Sequence, residues 1–312
     1  MDYVIAGDVG GTHLRAALVA ADGTILAHER TATRVAEGPT AVIARLLALL
    51  AQVRQALPRD GRLLGVGLGA PGPLDPATGI VYSPPNMPGW NTLPLRDLVA
   101  QQSGLPVALG NDANVAVLAE WRFGGGQGLR HLVYVTVSTG IGGGVITDGR
   151  LLLGRMGAAA ELGLLILDPT GMAWEDLASG TALGRAAAAA MPAHPASTLH
   201  QHATPATVTA AHVAEAAALG DTLAVALMER EAHLLGLGFA SILHSFSPEL
   251  LLVGGSVVLC NPDLLAQARA VAYAHVRGAL YRAVPIQLAP LGERVGVLGA
   301  AVLAFDTFGV RG

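Results

Sequence analysis

Two stretches of this chain repeat one pattern: an apolar strand, a glycine-rich turn carrying a hydroxyl, a second apolar strand, and an Asp-Gly turn. The first runs from Val4 through Asp8-Val-Gly-Gly-Thr12 to Val19, followed by Asp22-Gly23. The second runs from Val133 through Ser138-Thr-Gly-Ile-Gly-Gly-Gly144 to Ile146, followed by Asp148-Gly149. Asp-Gly alone is an ordinary hairpin turn, but here the hydroxyls and the spare glycines recur with it. The pattern predicts a duplicated chain, with two similar halves facing each other across a cleft. A length of 312 residues suits two domains.

Between the hairpins lie helical patterns. Thr40 to Leu57 is apolar at helical spacing and bracketed by Pro39 and Pro58. Leu93 to Ser103 ends at Gly104, a C-terminal cap. Asp112 to Phe123 is a third helix with Asp112 at the N-cap. Met191–Pro205, rich in Pro, His and Thr, reads as a surface loop joining helices, and its His194, His200 and His202 are not expected to bind metal. Leu250–Ser256 reads as a buried strand turning into a loop, and Gly296–Phe308 as a closing helix. Strands alternating with helices make the fold class α/β.

Composition removes several function classes. Apolar residues at 52% and charged residues at 13% exclude a disordered chain. All 19 basic residues are arginine, which excludes a Walker lysine, a Schiff base and the strand lysine of protein kinases. A net charge of −4 with scattered histidines leaves no footprint for nucleic acid. The single Cys260 excludes an internal disulfide and a zinc site with two of the chain's own thiolates. Charge-free stretches such as 232–248 are broken by His, Ser, Gly or Pro and do not read as membrane spans. The opening Met-Asp-Tyr-Val lacks a basic region, so no secretory leader is expected and the expected location is the cytoplasm.

The motifs define a chemistry. Adjacent glycines free backbone amides to wrap a phosphate, and Thr12 adds a hydroxyl donor. An aspartate beside a phosphate needs Mg²⁺, or its water shell, between the two charges, so Asp8 with Gly10, Gly11 and Thr12 reads as a nucleotide–metal loop. Ser138–Gly144 supplies a second loop, and two such loops point to ATP held between halves. Gly110-Asn-Asp-Ala-Asn114 closes the apolar run 105–109, which places Asn111 and Asp112 at a strand's carboxyl end. A carboxylate there can accept the proton of an attacking hydroxyl during phosphoryl transfer. Arg15 follows Thr12 by three residues in a strand, and its spacing suits a solvated face as well as a place beside a loop.

Five motifs in order carry a family resemblance: Asp8–Thr12, Gly69-Ala-Pro-Gly-Pro73, Pro85-Asn-Met-Pro-Gly-Trp90, Asn111–Asn114 and Ser138–Gly144. The chain resembles the ROK family of repressors, open reading frames and kinases, and within it the bacterial glucokinases, from Val4 to about Leu303. The resemblance implies a two-domain ribonuclease H-like, actin-like ATPase fold with an interdomain cleft. The expected domains are 1–112 with 298–312, and 113–297. It implies ATP-dependent phosphorylation of glucose at the 6-hydroxyl, with Mg²⁺ as cofactor and Asp112 as general base. Asn86, Asn111, Asp112, Glu161 and Glu175 would bind the sugar. Asp8, with Gly10, Gly11 and Thr12, matches the first phosphate motif. Thr139, Gly140 and Gly142 match the second, and Gly254 and Gly255 the adenosine side. A homodimer is expected by analogy.

The chain departs from the family pattern at Leu164, where many members have a histidine followed by a zinc-binding cysteine cluster; the segment Asp168–Glu175 has no cysteine. Zinc is not expected, and Leu164 with Trp174 is expected to form an apolar patch. The alternatives are a kinase for mannose, fructose or an N-acetylhexosamine, or a non-catalytic sugar-binding protein. A repressor would need a helix-turn-helix before Asp8. ADP or polyphosphate could replace ATP as donor.

Overall fold

The computed structural model describes residues 1–309. Its strands are β1 (Asp2–Val9), β2 (His13–Ala20), β3 (Ile25–Ala32), β4 (Arg62–Ala70), β5 (Leu74–Asp75), β6 (Ile80–Val81), β7 (Val107–Asn111), β8 (Leu132–Val137), β9 (Ile141–Thr147), β10 (Arg150–Leu151), β11 (Leu250–Gly254) and β12 (Ile286–Leu288). Ten of them build two five-stranded sheets, ordered β3-β2-β1-β4-β7 and β10-β9-β8-β11-β12, and β5 pairs with β6. Numbered within each sheet, both orders read third, second, first, fourth, fifth. In both, the first strand pairs parallel with the fourth, and the fourth parallel with the fifth. This shared topology is the duplication that the glycine hairpins announce.

The chain divides into two compact units. One holds Met1–Leu129, Gly144–Ala160 and the chain from Glu293 on; the other holds Arg130–Gly143 and Glu161–Gly292. This partition differs from a boundary at Asp112, and the expected segment 298–312 also runs past the described residues. The helix Asp112–Phe123 belongs with the first unit because it packs on the closing helix Val295–Phe308. Arg122 and Asp306 tie the two helices at 2.8 Å.

In the first unit, the helix Gly38–Arg54 buries Val42, Ile43, Leu46, Leu50 and Val53 against Ile5, Leu18 and Leu68 of the sheet. Residues 35–54 are long and apolar enough to cross a membrane, but this apolar face is already spent on the core. Gly124–Gly128 is a helix-to-strand connection rather than a strand-end turn. The buried Glu120 organises it, its carboxylate accepting from Gly125 N–H at 3.2 Å and its carbonyl from Gly126 N–H at 2.9 Å.

In the second unit, the long helix Thr222–Phe246 carries the core. The stretch 191–205, expected as a surface loop, is tied down: Met191 and Leu199 are fully buried. Asp221 accepts from the hydroxyls of Ser197 and Thr198 and the amides of Thr198 and Ala224. Burial opposes the Asp221 charge, but these donors outweigh it and hold the carboxyl down to about 2. Leu250–Gly254 is followed by a short helix, Ser256–Leu259, rather than by an open loop.

Candidate functional site

In the first unit, the carboxyl ends of three parallel strands line up. Asp8 of β1 stands opposite Gly69 of β4, and Gly69 opposite Gly110 of β7, with Ala70 opposite Asn111. At the usual strand spacing, Asp8 and Gly110 are about 10 Å apart across the sheet. Motifs a hundred residues apart in sequence therefore share one edge, where ligands of α/β sheets gather.

The loop between β1 and β2 is held by its own backbone. Gly10 N–H donates to His13 O at 3.0 Å, so that amide is engaged in the turn. Thr33 donates its hydroxyl to Gly10 O and its amide to Thr12 O, pinning the loop from β3. Thr12 itself is exposed. Gly11 lies against Asn86, since a Cβ on Gly11 would stand 3.3 Å from the Asn86 Cβ. Met87 and Trp90, each 1% exposed, anchor the turn that carries Asn86.

Asp8 is nearly enclosed and pairs with Arg15, whose Nη1 donates to Oδ2 at 3.0 Å. Of the two readings that the sequence leaves open for Arg15, this is the one beside the loop. The two are cross-strand partners on β1 and β2, a pairing that spacing within one strand does not reveal. Burial pushes the Asp8 carboxyl up from its usual range, and the Arg15 guanidinium opposes that shift.

Asn111, not Asp112, caps the helix Asp112–Phe123. Its Oδ1 accepts from Ala113 N–H and Asn114 N–H at 2.9 and 3.3 Å. Asp112 is the first helical residue and is exposed, one Oδ accepting from Ala113 N–H at 2.8 Å. The helix N-terminus favours its ionised form. An exposed, ionised carboxylate at a strand's carboxyl edge suits a general base.

The second unit has its own cluster. Ser138 N–H closes the β8–β9 turn on Gly140 O at 2.9 Å, while Ser138 O accepts from Gly180 N–H and Thr139 O from Thr181 N–H. Ser138 Oγ accepts from Ser256 N–H at 3.1 Å. A cavity of about 520 Å³ opens there, bounded by Ser138, Thr139, Thr181, Arg185, Thr209 and Ser256. The helix Gly180–Ala190 starts at this cavity, its N-terminus favourable for an anion. Sequence reasoning missed Gly180, Thr181, Arg185 and the wall 205–211; Ser179-Gly180-Thr181 at a helix start was the available sign.

Gly142 lies within β9. Gly255 has φ +90°, and a Cβ there would stand 2.3 Å from Val137 O. Its glycine character is therefore demanded by the protein's own backbone. Gly255→Ala should cost roughly 2 kcal/mol or more from strain and clash; a urea midpoint matching the parent's would disprove that.

Glu175 packs against the same turn, its Oε2 accepting from Ile141 N–H at 3.2 Å. Partial desolvation, and after it the charge of Glu175, push the Glu161 carboxyl up. The two glutamates thus share one neighbourhood. Leu164 and Trp174 do not form a common patch. Leu164 is 57% exposed, whereas Trp174 is fully buried, edge-on to Phe239 with its Nε1 donating to Leu234 O. Among the described residues no three His, Cys, Asp or Glu side chains cluster to cage a metal. One nearly buried carboxylate beside a phosphate-type loop does fit a Mg²⁺ carried mainly by a nucleotide's phosphates.

The family model described as the ROK family matches residues 4–307. The glucokinase of Thermotoga maritima is 35% identical over 98% of this chain and 98% of its own length. A ROK family glucokinase from Streptomyces griseus, solved with glucose and AMPPNP, is 33% identical with a TM-score of 0.85, covering 97% of this chain and 99% of that one. The ROK hexokinase of Thermus thermophilus is 34% identical with a TM-score of 0.80, covering 98% of each chain.

Proposed function

The chain belongs to the ROK family, and from that premise we propose that it transfers a phosphoryl group from ATP to the 6-hydroxyl of glucose. The observation that carries the reading is the register of the first sheet, which puts the Asp8 loop and Asp112 on one edge in a chain similar to glucokinases over its whole length. Asp112 takes the proton of the attacking hydroxyl. Asn86 and Asn111 hold sugar hydroxyls, Asn111 through its amide nitrogen because its oxygen caps the helix. Glu161 accepts from the sugar, and Glu175 does so through Oε1, its Oε2 being held by Ile141. The hydroxyls of Thr12 and Thr139 and the free loop amides hold the phosphates, work that a lysine does in other kinases. Asp8 would receive the water shell of Mg²⁺, which when bound neutralises charge on the phosphates. The cytoplasm and a homodimer complete the reading; light scattering on the purified chain tests the dimer.

The experiment is ADP release from MgATP with glucose, mannose, fructose, N-acetylglucosamine and N-acetylmannosamine. A glucose-selective signal supports the reading. Selectivity for another sugar moves the specificity to the surroundings of Glu161 and Leu164, and no signal with MgATP turns attention to ADP or polyphosphate as donor.

Glu161 offers a second check. Glu161→Gln should raise KM for glucose roughly 10-fold or more while kcat falls less, because a site built on hydrogen bonds rejects a mismatched partner. Its raised carboxyl protonates at a higher pH than an ordinary glutamate. The parent's KM should therefore climb on mild acidification, and the variant should lose that climb. Identical KM profiles would remove Glu161 from the sugar site.

A further inference from the structure

Arg15 is absorbed by none of the roles above, yet it touches the acidic residue of the first phosphate loop. Its Nη1 lies 3.0 Å from Asp8 Oδ2, with side-chain exposures of 20% and 14%, so the pair is shielded from solvent. The cross-strand register fixes both backbones. Arg30, the neighbour of Arg15 on β3, is another cation and is itself directed to Glu293 and His13. The first turn of the helix Val295–Phe308 packs on the Asp8 carboxylate: a Cβ on Gly296 would stand 2.7 Å from Asp8 Cγ, 2.8 Å from Oδ2 and 3.1 Å from Oδ1. Asp8 is thus paired with a guanidinium and packed against a helix N-terminus.

We propose that Arg15 is a positioning residue of the phosphoryl-transfer site, holding Asp8 Oδ2 so that Oδ1 is the oxygen left for the water shell of the nucleotide's Mg²⁺. The inference rests on the kinase reading and deepens it. Two consequences follow from charge and geometry. An unpaired buried carboxylate would repel the polyphosphate beside it, and the guanidinium cancels that charge. A carboxylate fixed at one oxygen also presents the other in a single orientation, as groups that hold a metal-facing ligand from behind generally do. In a chain without lysine, arginine is the cation on hand for this task.

The test is a double-mutant cycle of Arg15→Gln and Asp8→Asn, read by glucose phosphorylation and by calorimetry of ADP binding across a Mg²⁺ titration. Arg15→Gln should lower kcat by roughly 10–100-fold and raise half-saturating Mg²⁺ for ADP binding by a similar factor. KM for glucose and Mg²⁺-free ADP affinity should stay within about 3-fold, and in the Asp8→Asn background the same change should add less than about 2-fold. Arg15→Lys, which keeps the charge without the fork, should recover part of the loss and guards against a folding defect in the glutamine variant. An unchanged Mg²⁺ midpoint, or a loss as large without Asp8 as with it, overturns the proposal. If the parent chain phosphorylates no sugar, the kinase reading fails by itself, and the calorimetric arm still decides the role of Arg15.

Discussion

Replacing Asp112 by asparagine is expected to lower kcat for glucose phosphorylation by roughly 10²–10⁴-fold, the usual contribution of a general base. The local structure makes this a clean test. Asn111, not Asp112, caps the helix, so its start survives the change. The asparagine oxygen can still accept from Ala113 N–H, as one Asp112 oxygen does. Glucose affinity, followed by tryptophan fluorescence, should move only a few-fold, and the urea midpoint hardly at all. Asn111→Ala is the informative contrast. It should lose about 1 kcal/mol of stability with the cap, with a smaller loss of rate than Asp112→Asn. Retention of the parent's kcat by Asp112→Asn would remove Asp112 from the chemistry.

The second large effect lies away from the catalytic residues. Glu231, in the helix Thr222–Phe246, is fully buried, and among the described residues neither carboxylate oxygen has a hydrogen-bond partner. Arg230 next to it donates instead to Leu177 O. Burial pushes the Glu231 carboxyl up to about 8, with Arg230 only partly opposing. The sign follows directly. The folded state keeps its proton to about pH 8, whereas the unfolded chain releases it near the ordinary glutamate value of 4.5. Stability from this group is therefore present below about pH 4.5 and drains away as pH rises towards 8.

Between pH 5 and pH 8 the loss is roughly 3–4 kcal/mol by linkage. Glu231→Leu should remove it: near parity with the parent at pH 5, and a gain of roughly 3 kcal/mol at pH 8 in urea unfolding. A parent-to-variant difference that does not change between those pH values would show that Glu231 is not protonated in the fold.

Much of this protein was legible in its sequence because local chemistry and tertiary need coincide there. The glycine hairpins at 4–19 and 133–146, the helices after Pro39 and before Gly104, and the five ordered motifs are short-range patterns. Each is enforced by turn geometry or apolar period, and together they carried the α/β class, the duplication and the family. What went wrong was nonlocal. The place of Arg15 stayed open because its partner Asp8 lies across a strand pair. Trp174 looked like part of a surface patch because nothing near it in sequence shows the Phe239 it packs on.

The capping assignment was a different kind of miss. Asn111 and Asp112 are both good caps by type, and only the backbone angles choose between them. By itself the sequence determined which loops and carboxylates exist and in what order, because hairpin turns and helix starts are written in neighbouring residues. The tertiary structure alone decided that Asp8 and Asp112 share one sheet edge, that Arg15 grips Asp8, and that Glu231 is buried. Those facts depend on strand register and packing between distant segments, and no run of adjacent residues encodes them.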